Sequence, residues 1–179
     1  MTKRIVTILL VSCLFFYSSA QSLTPSNADS KISFTIKNMG MDVNGTFSNL
    51  AGKMNFNPKN LKSSLFDVTV DVITVNTGVK KRDDHLQKSD FFDAAKFPTI
   101  SIKTTSIQAK GNNTYFAKAI LNIHGNSKNI QFDFTATPDG SGYNFKAGFT
   151  IDRKDFKVGG NSMVMGDEVK VKLDVTGKR

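Results

Sequence analysis

Val169-Lys170-Val171-Lys172-Leu173-Asp174-Val175-Thr176 alternates apolar and polar residues without a break, and this rhythm decides the fold. A period of two puts one dry face and one wet face on an extended chain, so the segment reads as a strand. The same rhythm recurs upstream. Ile32, Phe34 and Ile36 share one phase, and Phe66, Val68, Val70 and Val72 alternate with Asp67, Thr69 and Asp71. Ile100 and Ile102, then Ala117, Ala119, Leu121 and Ile123, then Ile130, Phe132 and Phe134, and then Tyr143, Phe145, Ala147, Phe149 and Ile151 continue it. Short, sequential strands joined by turns such as Pro138-Asp139-Gly140-Ser141-Gly142 favour an antiparallel meander. Such a sheet buries its apolar face by stacking into a sandwich or by closing on itself. Closure with eight or so strands leaves an interior that side chains fill or that one elongated ligand occupies. The expectation is an all-β protein.

One stretch breaks the rhythm. Residues 82–98, Arg-Asp-Asp-His-Leu-Gln-Lys-Ser-Asp-Phe-Phe-Asp-Ala-Ala-Lys-Phe-Pro, set charges beside paired phenylalanines. A short helical or irregular segment is expected around residues 79–96, where it could cover one end of an apolar-lined sheet. Its first part, from Gly78 to Leu86, is too polar for a buried helix and reads as surface turns.

Residues 1–20 carry the marks of a secretory signal peptide: Lys3 and Arg4, an apolar run from Ile5 to Tyr17, and small residues Ser18-Ser19-Ala20 before the cleavage point. Leu10-Val11-Ser12-Cys13 offers the alternative of a lipoprotein acylated at Cys13, but the apolar run continues beyond it through Tyr17. Cleavage after Ala20 gives a periplasmic or secreted protein without cysteine, held by core burial alone. The remaining residues suit one domain, spanning 22–178, with no transmembrane segment. Losing Lys3 and Arg4 takes the formal charge from +9 to +7. The lysines are scattered over the polar phases of strands and over turns. They form no compact basic patch, so no nucleic-acid partner is expected, and attraction to anionic lipid or cell-envelope polymer stays open as a peripheral contact.

Catalytic machinery is thin. The only histidines are His85 and His124, and a zinc site needs three or four converging ligands. No metal, no cofactor and no catalytic residue are expected. A hydrolytic enzyme built on Arg82, Asp83, His85 and Asp93, an outer-membrane barrel, and a filled barrel serving as an interaction module are the competing readings. Phenylalanine is abundant, with 15 copies against no tryptophan, and many of these rings fall on in-phase strand positions.

Several motifs occur together in order. They are Ser30-Lys31-Ile32-Ser33-Phe34-Thr35-Ile36, Val43-Asn44-Gly45-Thr46-Phe47, Val75-Asn76-Thr77-Gly78 and Arg82-Asp83-Asp84-His85-Leu86. Asp90-Phe91-Phe92-Asp93-Ala94, Phe97-Pro98, Leu121-Asn122-Ile123-His124-Gly125 and Ile151-Asp152-Arg153-Lys154-Asp155-Phe156 follow. In this the chain resembles the YceI-like, polyisoprenoid-binding family of exported bacterial proteins along nearly all of residues 22–178. The resemblance implies an eight-stranded, lipocalin-like antiparallel barrel, monomeric or homodimeric. It implies non-covalent binding and carriage or sequestration of a long-chain isoprenoid or fatty amphiphile. The residues expected to face the cavity are Ile32, Phe34, Val68, Val70, Ile102, Leu121, Phe132, Phe145 and Val171, with Phe91, Phe92 and Phe97 at one end. Arg82, His85 and Arg153 are set aside either for a polar head group or for ion pairs that fix turns, Arg82 with Asp83 and Arg153 with Asp152 or Asp155. Lys157 departs from the family's usual glycine, which puts the local turn in question, and Leu23 stands near where an aromatic residue is common.

Overall fold

The computed structural model describes residues 21–179; the expected signal peptide and its alternative, acylation at Cys13, lie outside them. Nine strands form one antiparallel sheet: β1 (Gln21–Pro25), β2 (Lys31–Asn38), β3 (Met41–Phe56), β4 (Leu65–Asn76), β5 (Thr99–Gly111), β6 (Thr114–Ile123), β7 (Asn126–Asp139), β8 (Gly142–Asp152) and β9 (Met165–Lys178). Each strand from β2 to β9 pairs with the next, and β2 also pairs with β9, so eight strands close into a barrel. The ninth is not an extra stave. β1 pairs with the far ends of β3 and β9 and so continues the line of β2. Asn27 fills the break between them: its side-chain amide donates to the Leu50 carbonyl (2.9 Å) and its side-chain oxygen accepts from the Leu50 amide (2.6 Å). The Ser30 hydroxyl accepts from the Thr176 amide (3.1 Å). Side chains thus satisfy the backbone groups that a continuous strand would have paired.

Three hairpin turns have two central residues at positive φ, the form whose twist matches that of the flanking strands. They are Met39-Gly40 (52° and 79°), Asn112-Asn113 (49° and 57°) and His124-Gly125 (51° and 70°). Between β4 and β5 lies the sheet's one long interruption. It contains a helix, α1 (Lys80–Leu86), with no buried residue. The polarity of this stretch therefore reports its exposure correctly, whereas the expectation of surface turns is overturned. The helix's one apolar residue, Leu86, is half-buried against the core, and the Val79 carbonyl accepts from the Arg82 and Asp83 amides (2.9 and 3.0 Å) at its start.

The interior has two halves. At the end carrying the β3–β4 and β7–β8 connections, aromatic rings fill the barrel. Phe56 is fully buried, with its ring 5.0 Å from Tyr143, 5.2 Å from Tyr115 and 5.3 Å from Phe145. Phe66 and Phe134 complete the cluster at 6.1 and 6.4 Å. Aromatic pairs of this kind, edge-to-face or, for Phe56–Phe66, stacked, add about 0.5–1.5 kcal/mol each beyond the area they bury. At the opposite end, near α1, the inward residues of β2 (Ile32, Phe34, Ile36) and of β9 (Val169, Val171, Leu173) are only half-buried. They face a hollow instead of a neighbour.

Candidate functional site

The hollow has a volume of about 520 Å³ and an almost wholly apolar wall, within the range of small-molecule sites. From Val169 to Val175 its β9 wall runs about 20 Å along the strand, or about 15 Å of depth at the tilt of an eight-stranded barrel. Of the residues expected to face a cavity, Ile32, Phe34, Val68, Val70, Ile102, Leu121 and Val171 line it, joined by Phe91 and Phe92. The tip of the Phe34 ring lies over Gly45, where a Cβ would fall 2.2 Å from its Cζ. The glycine thereby lets the phenylalanine hug the wall and keeps the hollow open.

Phe132, Phe145 and Phe97 do not line it. Phe145 belongs to the aromatic floor, 5.3 Å from Phe56. Phe132 stacks on Phe149 at 5.1 Å and reaches Phe134 at 6.4 Å, as part of the same packed cluster. Phe97 packs over the β6–β7 turn, where it meets His124 edge-on at 5.0 Å and occupies the space a Cβ on Gly125 would need. Alternation along a strand tells which face a residue is on, but not how deep it sits.

The segment after α1 folds back over the mouth. Phe92 donates its amide to Leu86 (3.0 Å), Phe97 donates to Asp93 (2.7 Å), and the Gly159 amide reaches the Asp90 carbonyl (3.0 Å). Phe92 meets Phe47 edge-on at 5.6 Å, and Phe91 packs against Gly159. The β8–β9 connection and the α1 segment thus share one rim.

Arg82, His85 and Arg153 all reach the lining, with different partners from those expected. Arg153 is 3% exposed and spends its guanidinium on five acceptors: the carbonyls of Gly166, Val158, Gly160 and Met165, and the Asp167 carboxylate at 2.9 Å. Its ion pair is with Asp167, not with Asp152 or Asp155, and it ties the β8–β9 connection shut. Arg82 forms no ion pair with Asp83. Both instead bind Thr77, whose hydroxyl and carbonyl accept from the guanidinium (2.7 and 3.0 Å) while its hydroxyl and amide donate to Asp83 (2.5 and 2.8 Å). His85 meets Asp90 at 2.6 Å, and the bond to His85 holds the Asp90 carboxyl below its ordinary value. Asp90, not Asp93, is therefore the histidine's acid. No serine hydroxyl bonds to the ring among the described residues, and none of their His, Cys, Asp and Glu groups cluster to hold a metal. Lys81, which the sequence does not single out, also lines the mouth.

Lys157 sits at φ 58° and ψ 32°, closing the 3₁₀ turn Arg153–Phe156. The left-handed turn persists without the glycine. On the outside of β9, Lys170 and Lys172 are exposed, at positions where a membrane-spanning barrel presents an apolar band. No helix among the described residues is long and apolar enough to cross a membrane.

Known proteins share this architecture. The chain is 28% identical over 155 residues to a UPF0312 protein of Vibrio cholerae, covering 83% of this chain and 80% of that one. It superposes on BcnA of Burkholderia cenocepacia with a TM-score of 0.80 at 26% identity, over 85% of this chain and 98% of BcnA. A polyisoprenoid binding domain from Saccharophagus degradans, implicated in plant cell wall breakdown, has the same fold, with a TM-score of 0.69 at 14% identity over 89% of this chain and 99% of that domain. The profile of the YceI-like domain matches residues 23–177. That span runs from β1 to the end of β9, and the chain belongs to the YceI-like family.

Proposed function

We propose that this barrel binds, without chemical turnover, the tail of a long-chain isoprenoid or fatty amphiphile and carries or sequesters it in the periplasm or outside the cell. The observation that carries this reading is the apolar hollow of about 520 Å³ above an aromatic floor. Each methylene taken from water into it gains about 0.8 kcal/mol. Association costs at least about 4 kcal/mol, so short chains bind weakly and long tails are selected. The solved polyisoprenoid binding domain of the same fold agrees with a guest of this shape. Export rests on the leader at residues 1–20.

Solvent extraction of the purified protein followed by mass spectrometry tests the proposal. Recovery of a long-chain lipid in stoichiometric amount supports it. Protein that comes free of lipid and also takes up no added polyprenyl or fatty chain refutes it, and leaves the interaction module as the better reading.

A further inference from the structure

Among the described residues the hollow is lined by Lys81, Arg82, His85 and Arg153, but by no aspartate or glutamate. Two of these four are already neutralised. Arg153 is consumed by its five acceptors, Asp167 included, and His85 faces Asp90. The other two are not. Lys81 has neither an ion pair nor a hydrogen-bonded partner among the described residues. Thr77 fixes Arg82 through Nε and Nη2, and Nη1 has no acceptor among the described residues. The carboxylates nearest in sequence are engaged elsewhere, Asp83 by Thr77 and Asp84 by Lys80 at 2.8 Å. Among the described residues neither cation at the mouth of this apolar cavity therefore has a direct ion-pair partner, Asp83 reaching Arg82 only through the Thr77 hydroxyl. Near a low-dielectric wall such charges are less screened than in open water.

We infer that the guest supplies the missing ion-pair partner: the ligand is an amphiphile with an anionic head, a carboxylate or a phosphate, met at the mouth by Lys81 and Arg82. This rests on the reading of the hollow as a lipid site and adds the class of head group. Arg82 is the orienting partner, because Thr77 holds the plane of its guanidinium before the ligand arrives. Lys81 follows the head on a flexible stem.

The test compares palmitate with hexadecanol, and farnesyl phosphate with farnesol, by calorimetric titration of the delipidated full chain. Each anion binds about tenfold or more tightly than its alcohol, the size expected of a charge-assisted contact at a partly exposed rim. Preference within one pair only identifies the head as carboxylate or as phosphate. Lys81→Met/Arg82→Met removes the charges, keeps the apolar stems and erases the gap between anion and alcohol. Lys59→Met/Lys62→Met, at the closed end of the barrel, leaves the gap intact and so excludes an effect of net charge. Should the double variant misfold, Lys81→Met alone, which loses no protein partner, still narrows the gap. Equal affinities for anion and alcohol, or a gap that survives the loss of both charges, overturn the head-group assignment while the hollow keeps its role. Failure of all four ligands to bind brings down the lipid-site reading itself.

Discussion

Replacing a phenylalanine by alanine has different consequences in the two halves of this barrel, and the contrast can be worked out from the structure. Phe56 is 0% exposed and has five aromatic neighbours within 6.4 Å. Phe56→Ala removes its transfer free energy and leaves a void that rigid rings cannot fill, a loss of about 3–5 kcal/mol. Phe34 also points inward, but it lines the hollow, packing only with its ring tip over Gly45 and against Phe47 at 5.5 Å. Phe34→Ala enlarges an existing cavity without creating a new one, and half-burial limits its loss to about 1–2 kcal/mol. In urea, at a slope of about 2 kcal/mol per molar, the midpoints fall by about 2 M for Phe56→Ala and by less than about 1 M for Phe34→Ala. Ligand affinity responds in the opposite order, with Phe34→Ala altering it and Phe56→Ala changing it little at temperatures where the variant remains folded. Equal destabilisation by the two variants would refute the division into a solid floor and an open mouth.

Three further outcomes follow from particular contacts. Lys157→Gly raises stability by up to about 1 kcal/mol, because glycine adopts the left-handed conformation that a Cβ penalises; thermal melts that show Lys157→Gly equal to or below wild type contradict this. Arg153→Met leaves the carbonyls of Gly166, Val158, Gly160 and Met165 without their donor, costing about 3–5 kcal/mol, as read from urea unfolding; a loss below about 1 kcal/mol would mean that the β8–β9 connection is held by something else. Acid weakens the fold. The carboxyl of Asp174 is held low by Asn144 and then Lys146, that of Asp167 by Lys154 and Arg153, and that of Asp42 by Lys37. Groups lowered in the folded state stabilise it fully above the unfolded carboxylate value of about 3.9 and lose that contribution as pH falls through their folded values. The urea midpoint is therefore level from pH 7 to 5 and drops towards pH 3; a midpoint that rises on acidification reverses the sign.

The legible part of this protein is its period of two. That alternation gives the strands, their inward faces and the antiparallel meander, and most inward residues of β2, β4, β6 and β9 can be picked from it. Closure over sandwich came from the family resemblance, since both architectures bury the same alternating face. Depth was not legible, because strand stagger decides whether an inward phenylalanine meets the floor, as Phe145 does, or the hollow, as Phe34 does. The break between β1 and β2 was hidden for a similar reason: Asn27 supplies backbone-like bonds to Leu50 from 23 residues away. Phe97 looked like Phe91 and Phe92 in composition, yet one more turn of the loop carries it past the mouth to Gly125. Partner choice was the weakest point. Neighbours in sequence suggested Arg82 with Asp83, whereas Thr77 at the end of the preceding strand binds both.

The central claim is that a greasy chain can enter this barrel, and direct titration tests it. Delipidated protein mixed with the fluorescent polyene cis-parinarate should show saturable emission at one molecule per chain. Val171→Trp, which places an indole across the hollow, should abolish that signal while circular dichroism stays that of the native sheet. Non-saturable emission, or binding that the indole leaves untouched, would contradict the account.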